Sequence, residues 1–180
     1  MPRYVALFRG INVGKAKRIA MADLRALLDK LGYADVATLL NSGNAVFTAN
    51  AEPAATHAAR IRAAVRRKLG VDALVVVKSG SEISGIIAGN AISKSATDDS
   101  RLLVAITNDA KGLAAVKQLA SANWGAEKIH VGKHAAYVWC ANGILESKAA
   151  VALLKKLEDT GTTRNWGTLN KIHALLGKDA

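Results

Sequence analysis

Hydrophobic and polar positions in the first half of the chain follow two different periods. Two apolar stripes at helical spacing predict helices from Met21 to Leu31 and from Ala54 to Leu69. Four short β-rich runs predict strands at Tyr4–Phe8, Val36–Leu40, Ala45–Thr48 and Leu74–Val77. The resulting order, β-α-β-β-α-β, is that of a ferredoxin-like unit.

The second half repeats this order without repeating the sequence. Predicted strands are Leu102–Ile106, Ile129–Val131 and Ala136–Trp139, and predicted helices include one capped by Asn108 or Asp109 and one over Ala149–Leu157. Thr162 or Thr163 is predicted to cap a last helix. The second unit is therefore expected to be β-α-β-β-α-α, with its fourth strand replaced by a helix.

Between the halves, Ser79 and Glu82 have the spacing of a capping box, which predicts a short helix after the fourth strand. The stretch that follows is polar and poorly patterned. We therefore predict an α+β protein with an N-terminal ferredoxin-like unit over residues 1–88, a linker over 89–100 and a C-terminal unit over 101–180.

Length and composition limit the class of protein. The chain has 180 residues, 51% of them hydrophobic, which is enough for a packed core. No apolar run approaches the roughly 20 residues of a membrane helix. The single cysteine, Cys140, excludes an internal disulfide and a multi-cysteine metal site. We expect a soluble cytoplasmic protein with no metal, no cofactor and no membrane partner.

Charge makes nucleic acid a candidate partner. Lys and Arg number 25 against 14 Asp and Glu, a formal net charge of +11. The densest basic cluster lies in the second predicted helix and would form an accessory surface for a polymer: Arg60, Arg62, Arg66 and Arg67. A solvated helix face is the alternative interpretation of this cluster. Aromatic residues make up 4% of the chain, which is low for a protein that stacks bases.

Three segments together resemble one family. They are Tyr4–Gly14 (YVALFRGINVG) followed by MADLR from Met21, Leu40–Phe47 (LNSGNAVF), and Thr163–Trp166 (TRNW). They are similar to the bacterial family catalogued as domain of unknown function 1697, although Lys15 stands where a second glycine is common. The resemblance implies an α+β fold built from ferredoxin-like units, and it implies no established activity.

The expected strand order, 4-1-3-2, brings two of these segments together. The loop that leaves the first strand and the turn between the second and third strands then lie at the same end of the sheet. Side chains of these segments, with two from the third, form the predicted ligand site: Arg9, Asn12, Lys15, Asn41, Ser42, Asn44, Arg164 and Asn165. Guanidinium, amide and glycine N–H groups near a helix N-terminus favour an anion.

The chemistry of the motifs RGINVG, NSGN and TRNW favours recognition over catalysis, because these three contain no carboxylate, histidine or cysteine. The leading prediction is a module that binds an anion, either a nucleic-acid backbone or a phosphorylated or carboxylated small molecule. One alternative is a small enzyme centred on Ser42 with an amide-rich oxyanion site, which would need His57, His130 or His134 nearby. Another is an interaction protein with no small ligand, in which the motifs are structural. The oligomeric state stays open.

Two familiar ligand motifs are excluded. The segment GINVGKA has three residues between its glycines instead of four, and Ala16 replaces the magnesium-binding Ser or Thr of a P-loop. An RNA-recognition motif needs outward aromatic residues on its first and third strands. Asn44 and Val46 occupy two of those positions, so the stacking platform is missing.

Overall fold

The computed structural model describes residues 1–92 and 96–177. Its internal contacts define two compact units, one of Met1–Ile83 with the chain from Ile172 onward, and one of Ser84–Lys171. The predicted linker, residues 89–100, includes residues 93–95, which lie outside the described part, as do 178–180 of the predicted second unit. The predicted boundaries stay a prediction.

The first unit has the predicted ferredoxin-like architecture. Its elements are β1 (Arg3–Phe8), α1 (Met21–Lys30), β2 (Ala34–Leu39), β3 (Asn44–Thr48), α2 (Ala54–Leu69) and β4 (Val75–Ser79). The sheet order is β2-β3-β1-β4, and all neighbouring strands are antiparallel. This is the predicted order, so the C-terminal ends of β1 and β2 lie at the same end of the sheet.

Alternation along β1 sets the core of this unit. Tyr4, Ala6 and Phe8 pack with Leu28 of α1 and Ile61 of α2 in one buried cluster. Side-chain direction repeats every two residues along a strand and every 3.6 residues along a helix. These apolar side chains therefore lie on surfaces that face each other. Burying each large apolar side chain contributes about 1.5–3 kcal/mol.

The predicted capping box is confirmed. The Glu82 N–H donates to Ser79 Oγ (3.2 Å), and the Ser79 N–H donates to Glu82 Oε2 (2.8 Å). Burial opposes ionisation of the Glu82 carboxyl, but the Ser79 backbone bond and the Lys78 ammonium outweigh it and lower its pKa. These bonds fix the start of α3 (Gly80–Ala88).

The second unit has the same topology as the first. Its elements are β5 (Leu102–Thr107), α4 (Ala110–Ala115), a 3₁₀ turn (Lys117–Ser121), β6 (Lys128–Val131), β7 (Ala136–Trp139), a 3₁₀ turn (Ile144–Glu146), α5 (Lys148–Leu157) and β8 (Gly161–Asn165). The sheet order is β6-β7-β5-β8, again antiparallel throughout. The chain is therefore an α+β protein of two ferredoxin-like units.

One part of the fold prediction is wrong, because the fourth strand of the second unit is present. β8 pairs with β5, with Thr162 opposite Ile106. Thr162 and Thr163 therefore belong to a strand instead of capping a helix. Threonine is favoured both at helix N-caps and in strands, and pairing with β5 decides between them. The last helix, α6 (Trp166–Leu176), is capped by Asn165, whose Oδ1 accepts from the Thr168 N–H (2.8 Å).

Side-chain caps also begin α4 and α5. The predicted cap Asp109 is confirmed, since its Oδ1 accepts from the Gly112 N–H (2.9 Å). Ser147 Oγ accepts from the Ala150 N–H (2.9 Å) and donates to Glu127 Oε2 (2.8 Å). Glu127 thereby ties the segment before β6 to the start of α5.

The described residues hold neither a membrane-spanning helix nor a cluster of metal-ligating side chains. No helix within 1–92 and 96–177 is both long and apolar enough to cross a membrane. The same residues contain no group of three or more His, Cys, Asp or Glu side chains that could hold a metal ion.

Candidate binding site

The loop after β1 and the turn between β2 and β3 lie against each other, as the strand order predicts. The Phe8 N–H donates to the Gly43 carbonyl (2.9 Å), and Asn12 Nδ2 donates to the Asn41 carbonyl (2.8 Å). Gly43 lies so close to the loop that a Cβ added there would be 2.5 Å from Ile11 Cδ1. The two segments are 29 residues apart at the Asn12–Asn41 bond, so the contact is tertiary.

The Asn12 side chain stabilises the loop after β1 by hydrogen bonds to backbone groups. Its Oδ1 accepts from the Ile19 N–H (2.8 Å), while its Nδ2 donates to the Ile19 carbonyl (2.9 Å) as well as to Asn41. Its backbone is left-handed, with φ +56°. Both ends of the amide therefore hold protein backbone, which is a structural role for a residue predicted to contact ligand.

The Asn44 side chain also hydrogen-bonds to the protein, at the turn between β2 and β3. It is fully buried, and its Nδ2 donates to the Leu39 carbonyl (2.7 Å) and to Ser42 Oγ (3.2 Å). Ser42 and Asn41 are exposed, whereas Arg9 is half-buried. The backbone N–H of Arg9 donates to the Leu74 carbonyl (2.9 Å). The side-chain amide of Asn44 stabilises the turn by hydrogen bonds within it. The positive charge that would attract an anion must therefore come from other side chains.

Positive charge lies in the C-terminal half of the loop after β1. Lys15, Lys17 and Arg18 are all exposed between the end of β1 and the start of α1. Left-handed backbone at Gly14 (φ +63°) and Lys17 (φ +50°) turns this segment back on itself. The predicted residue Lys15 thus belongs to a group of three cations on one loop.

Two arginines of α2 extend the same charged region. Arg62 Nε is 2.8 Å from Asp72 Oδ1. The Arg62 guanidinium lowers the pKa of the Asp72 carboxyl, and Arg66 and Lys17 act on it in the same direction. Arg62 therefore pairs with this carboxylate, and Arg66 of the same helix and Lys17 of the loop after β1 act on it electrostatically. We call Lys15, Lys17, Arg18, Arg62 and Arg66 the basic surface.

The other two predicted arginines of α2 lie elsewhere. Arg60 Nη2 pairs with Glu52 Oε2 (2.8 Å), close to the Tyr33 hydroxyl that also bonds it. Arg67 lines a groove against α1. The four arginines are therefore divided among three environments instead of forming one accessory surface. Helical spacing puts Arg62 and Arg66 on one face and Arg60 and Arg67 on another, where Arg60 and Arg67 lie about 10 Å apart along the axis.

Arg164 and Asn165 differ from their predicted setting. They lie in β8, not in the first turn of a helix. Arg164 is buried, and its Nη1 donates to Thr162 Oγ1 (3.0 Å) and to the Thr163 carbonyl (2.7 Å). Burial lowers the pKa of Arg164 to about 10, so the side chain is still a cation at neutral pH. Asn165 caps α6, as described above.

Ser42 and His57 lie at opposite ends of β1. The His57 ring packs 4.7 Å from the ring of Tyr4, at the start of β1. The turn that contains Ser42 lies against Phe8, at the other end of the same strand. His130 and His134 belong to the second unit, and catalysis with either stays a prediction.

Sequence reasoning missed Lys17, Arg18 and Asp72. Lys17 and Arg18 stand beside Lys15 in a polar loop, where nothing in the sequence shows which cations share a surface. Asp72 follows Gly70, the left-handed cap of α2 (φ +68°). Asp72 thus lies in the connection from α2 to β4, and because β4 pairs with β1, the predicted strand order was the available signal for a contact with the loop after β1.

The fold and these motifs define a class of protein: an α+β chain of two ferredoxin-like units with a basic loop at the edge of the first sheet. Its sequence matches the profile of the family described as Protein of unknown function (DUF1697) over residues 1–137, and the chain belongs to that family. It is similar in structure to a conserved bacterial protein, SP0830, from Streptococcus pneumoniae. The TM-score is 0.75 at 23% identity, covering 97% of this chain and 98% of that chain. That likeness shows a shared fold. No curated protein matches the sequence.

Proposed function

We propose that the protein binds the phosphate backbone of nucleic acid through the basic surface, without recognising bases. The observation that carries the proposal is that the connection from α2 to β4 joins the two parts of the basic surface: Arg62 Nε lies 2.8 Å from Asp72 Oδ1, and the Arg9 backbone N–H, at the start of the loop after β1, donates to the Leu74 carbonyl (2.9 Å). With Lys15 and Arg18 on the same loop, five cations share a region that this one carboxylate balances only in part. Such a surface attracts a polyanion.

Exposure of the basic surface favours a polymer over a small anion. Its side chains stand in solvent, and the amides that a small ligand would need, those of Asn12 and Asn44, hold protein backbone. A chain of phosphates gains from several exposed cations at once, because each contact releases a condensed counterion. A small phosphate gains from only one or two of them.

Base recognition is not part of the proposal. The first unit has four aromatic side chains within Met1–Ile83, and all are buried: Tyr4, Phe8, Tyr33 and Phe47. Bases stack on exposed aromatic rings, so these side chains offer no platform. Binding is then independent of sequence, with a dissociation constant of about 10⁻⁴–10⁻⁶ M at physiological salt. We further propose a cytoplasmic location, which cell fractionation would test.

The test is fluorescence polarisation with short single- and double-stranded DNA and RNA, at about 50 to 200 mM salt. Wild type is compared with Arg62→Gln/Arg66→Gln. The matched control is Lys155→Gln/Lys156→Gln, which removes two exposed cations from the last turn of α5 in the second unit. We expect the magnitude of the slope of log K against log salt to fall in the first variant by about 1.8 for duplex DNA and about 1.4 for single strands, and to be unchanged in the control. Equal slopes in all three proteins would contradict the proposal.

A further inference from the structure

A groove runs between α1 and α2 on the first unit. It has a volume of about 440 Å³. Its lining is apolar along five positions, Ala26, Leu27, Leu31, Ala64 and Leu69, and charged at four, Asp23, Lys30, Arg67 and Lys68. The lining residues of α1 span Asp23 to Leu31, or about 12 Å along a helix axis.

The cations of the groove are unpaired. The side chains of Lys30, Arg67 and Lys68 make no hydrogen bond or ion pair with any residue in the described ranges 1–92 and 96–177. Arg60 and Arg62 on the same helix, in contrast, pair with Glu52 and Asp72. Three unpaired cations and one carboxylate therefore border an apolar floor, which is the complement of a molecule with an anionic head and an apolar body.

We infer that this groove binds a small amphipathic anion, a carboxylate attached to an apolar chain or ring. Leu27, Leu31 and Leu69 would take the apolar body, and Lys30 or Arg67 would take the carboxylate. The volume falls within the range of small-molecule pockets, about 300–1,000 Å³.

This site is separate from the basic surface. Successive residues on a helix are rotated by about 100°, so Arg67 points away from Arg66 and from Arg62. Arg62 and Arg66 act on Asp72, whereas Arg67 lines the groove. The two sites can therefore be altered one at a time.

The experiment titrates the isotope-labelled full chain with octanoate and follows backbone amide shifts by NMR. Acetate, which has the head alone, and octylammonium, which has the same body with a cationic head, are titrated in parallel. We expect saturable shifts at Asp23–Leu31 and Ala64–Leu69 with octanoate, and weaker binding of both other probes. Equal binding of octanoate and octylammonium, or saturable shifts confined to other residues, would overturn the inference.

Variants separate the groove from the rest of the surface. Lys30→Gln/Arg67→Gln should weaken octanoate binding, by up to about fivefold for each exposed cation that contacts the head. Ala26→Phe should fill the groove from an exposed helix position and abolish binding without loss of fold. The matched control Lys155→Gln/Lys156→Gln, which removes two exposed cations from α5, should leave octanoate affinity unchanged. An Ala26→Phe protein that is folded and keeps wild-type affinity would contradict the site.

Discussion

The substitution Gly43→Ala tests the contact between the β2–β3 turn and the loop after β1. Gly43 has φ +88°, a left-handed conformation that costs alanine about 1–2 kcal/mol. An added Cβ would also lie 2.5 Å from Ile11 Cδ1 and 2.8 Å from Phe8 Cβ, both in buried side chains. Forcing a methyl group into such a site costs a further 1–3 kcal/mol or so. We expect a total loss of about 2–5 kcal/mol of unfolding free energy.

Gly32→Ala is the matched control. Gly32 has nearly the same backbone, φ +86°, but nothing lies within 4 Å of an added Cβ. It should therefore show only the backbone cost of about 1–2 kcal/mol. The difference between the two variants isolates the close approach of turn and loop.

The assay is urea unfolding followed by far-ultraviolet circular dichroism. Because all three tryptophans lie in the second unit, native-state hydrogen exchange of Val5 and Val46, which are opposite each other in β1 and β3, reports on the first unit directly. Equal losses in Gly43→Ala and Gly32→Ala would refute the packing of the turn against the loop.

Three further predictions concern stability. Asn12→Ala should cost about 2–4 kcal/mol in thermal unfolding, because it loses three hydrogen bonds and places alanine at φ +56°, and Asn12→Gly should recover about 1 kcal/mol of it. Ser147→Ala should lower the second unit's stability by about 1 kcal/mol in urea titrations read by tryptophan fluorescence, since α5 loses its cap, and Ser147→Thr should keep most of it. Burial lowers the pKa of His57 below the 6.5 of the unfolded chain, so its contribution to stability is complete above that pH and is lost as pH falls through the lowered value. His57→Gln should flatten the fall in unfolding free energy between about pH 7 and 5, and an unchanged pH profile would refute this role.

The sequence predicts most of the first unit because local and tertiary preferences agree there. The apolar stripe of α2 ends at Gly70, which adopts the left-handed conformation a helix C-terminus favours, and the capping box at Ser79 and Glu82 forms as its spacing predicts. The strand order follows from the ferredoxin-like pattern, and with it the approach of the two loops.

Where several structures suit the same residues, sequence reasoning fails. Thr162 and Thr163 are good caps and good strand residues, and only pairing with β5 makes them a strand. Asn12 and Asn44 were predicted to contact ligand because their amides suit one. An amide suits its own backbone equally well, and the choice depends on φ and on neighbours that lie far away in sequence.

The central claim is that the loop after β1 and the exposed face of α2 bind a polyanion together. The most direct measurement is a titration of the isotope-labelled full chain with a short DNA duplex, with backbone amide shifts followed by NMR at low and high salt. We predict shifts concentrated at residues 14–18 and 62–72 that disappear as salt is raised. Shifts confined to the second unit, or a footprint that persists unchanged at high salt, would contradict the account.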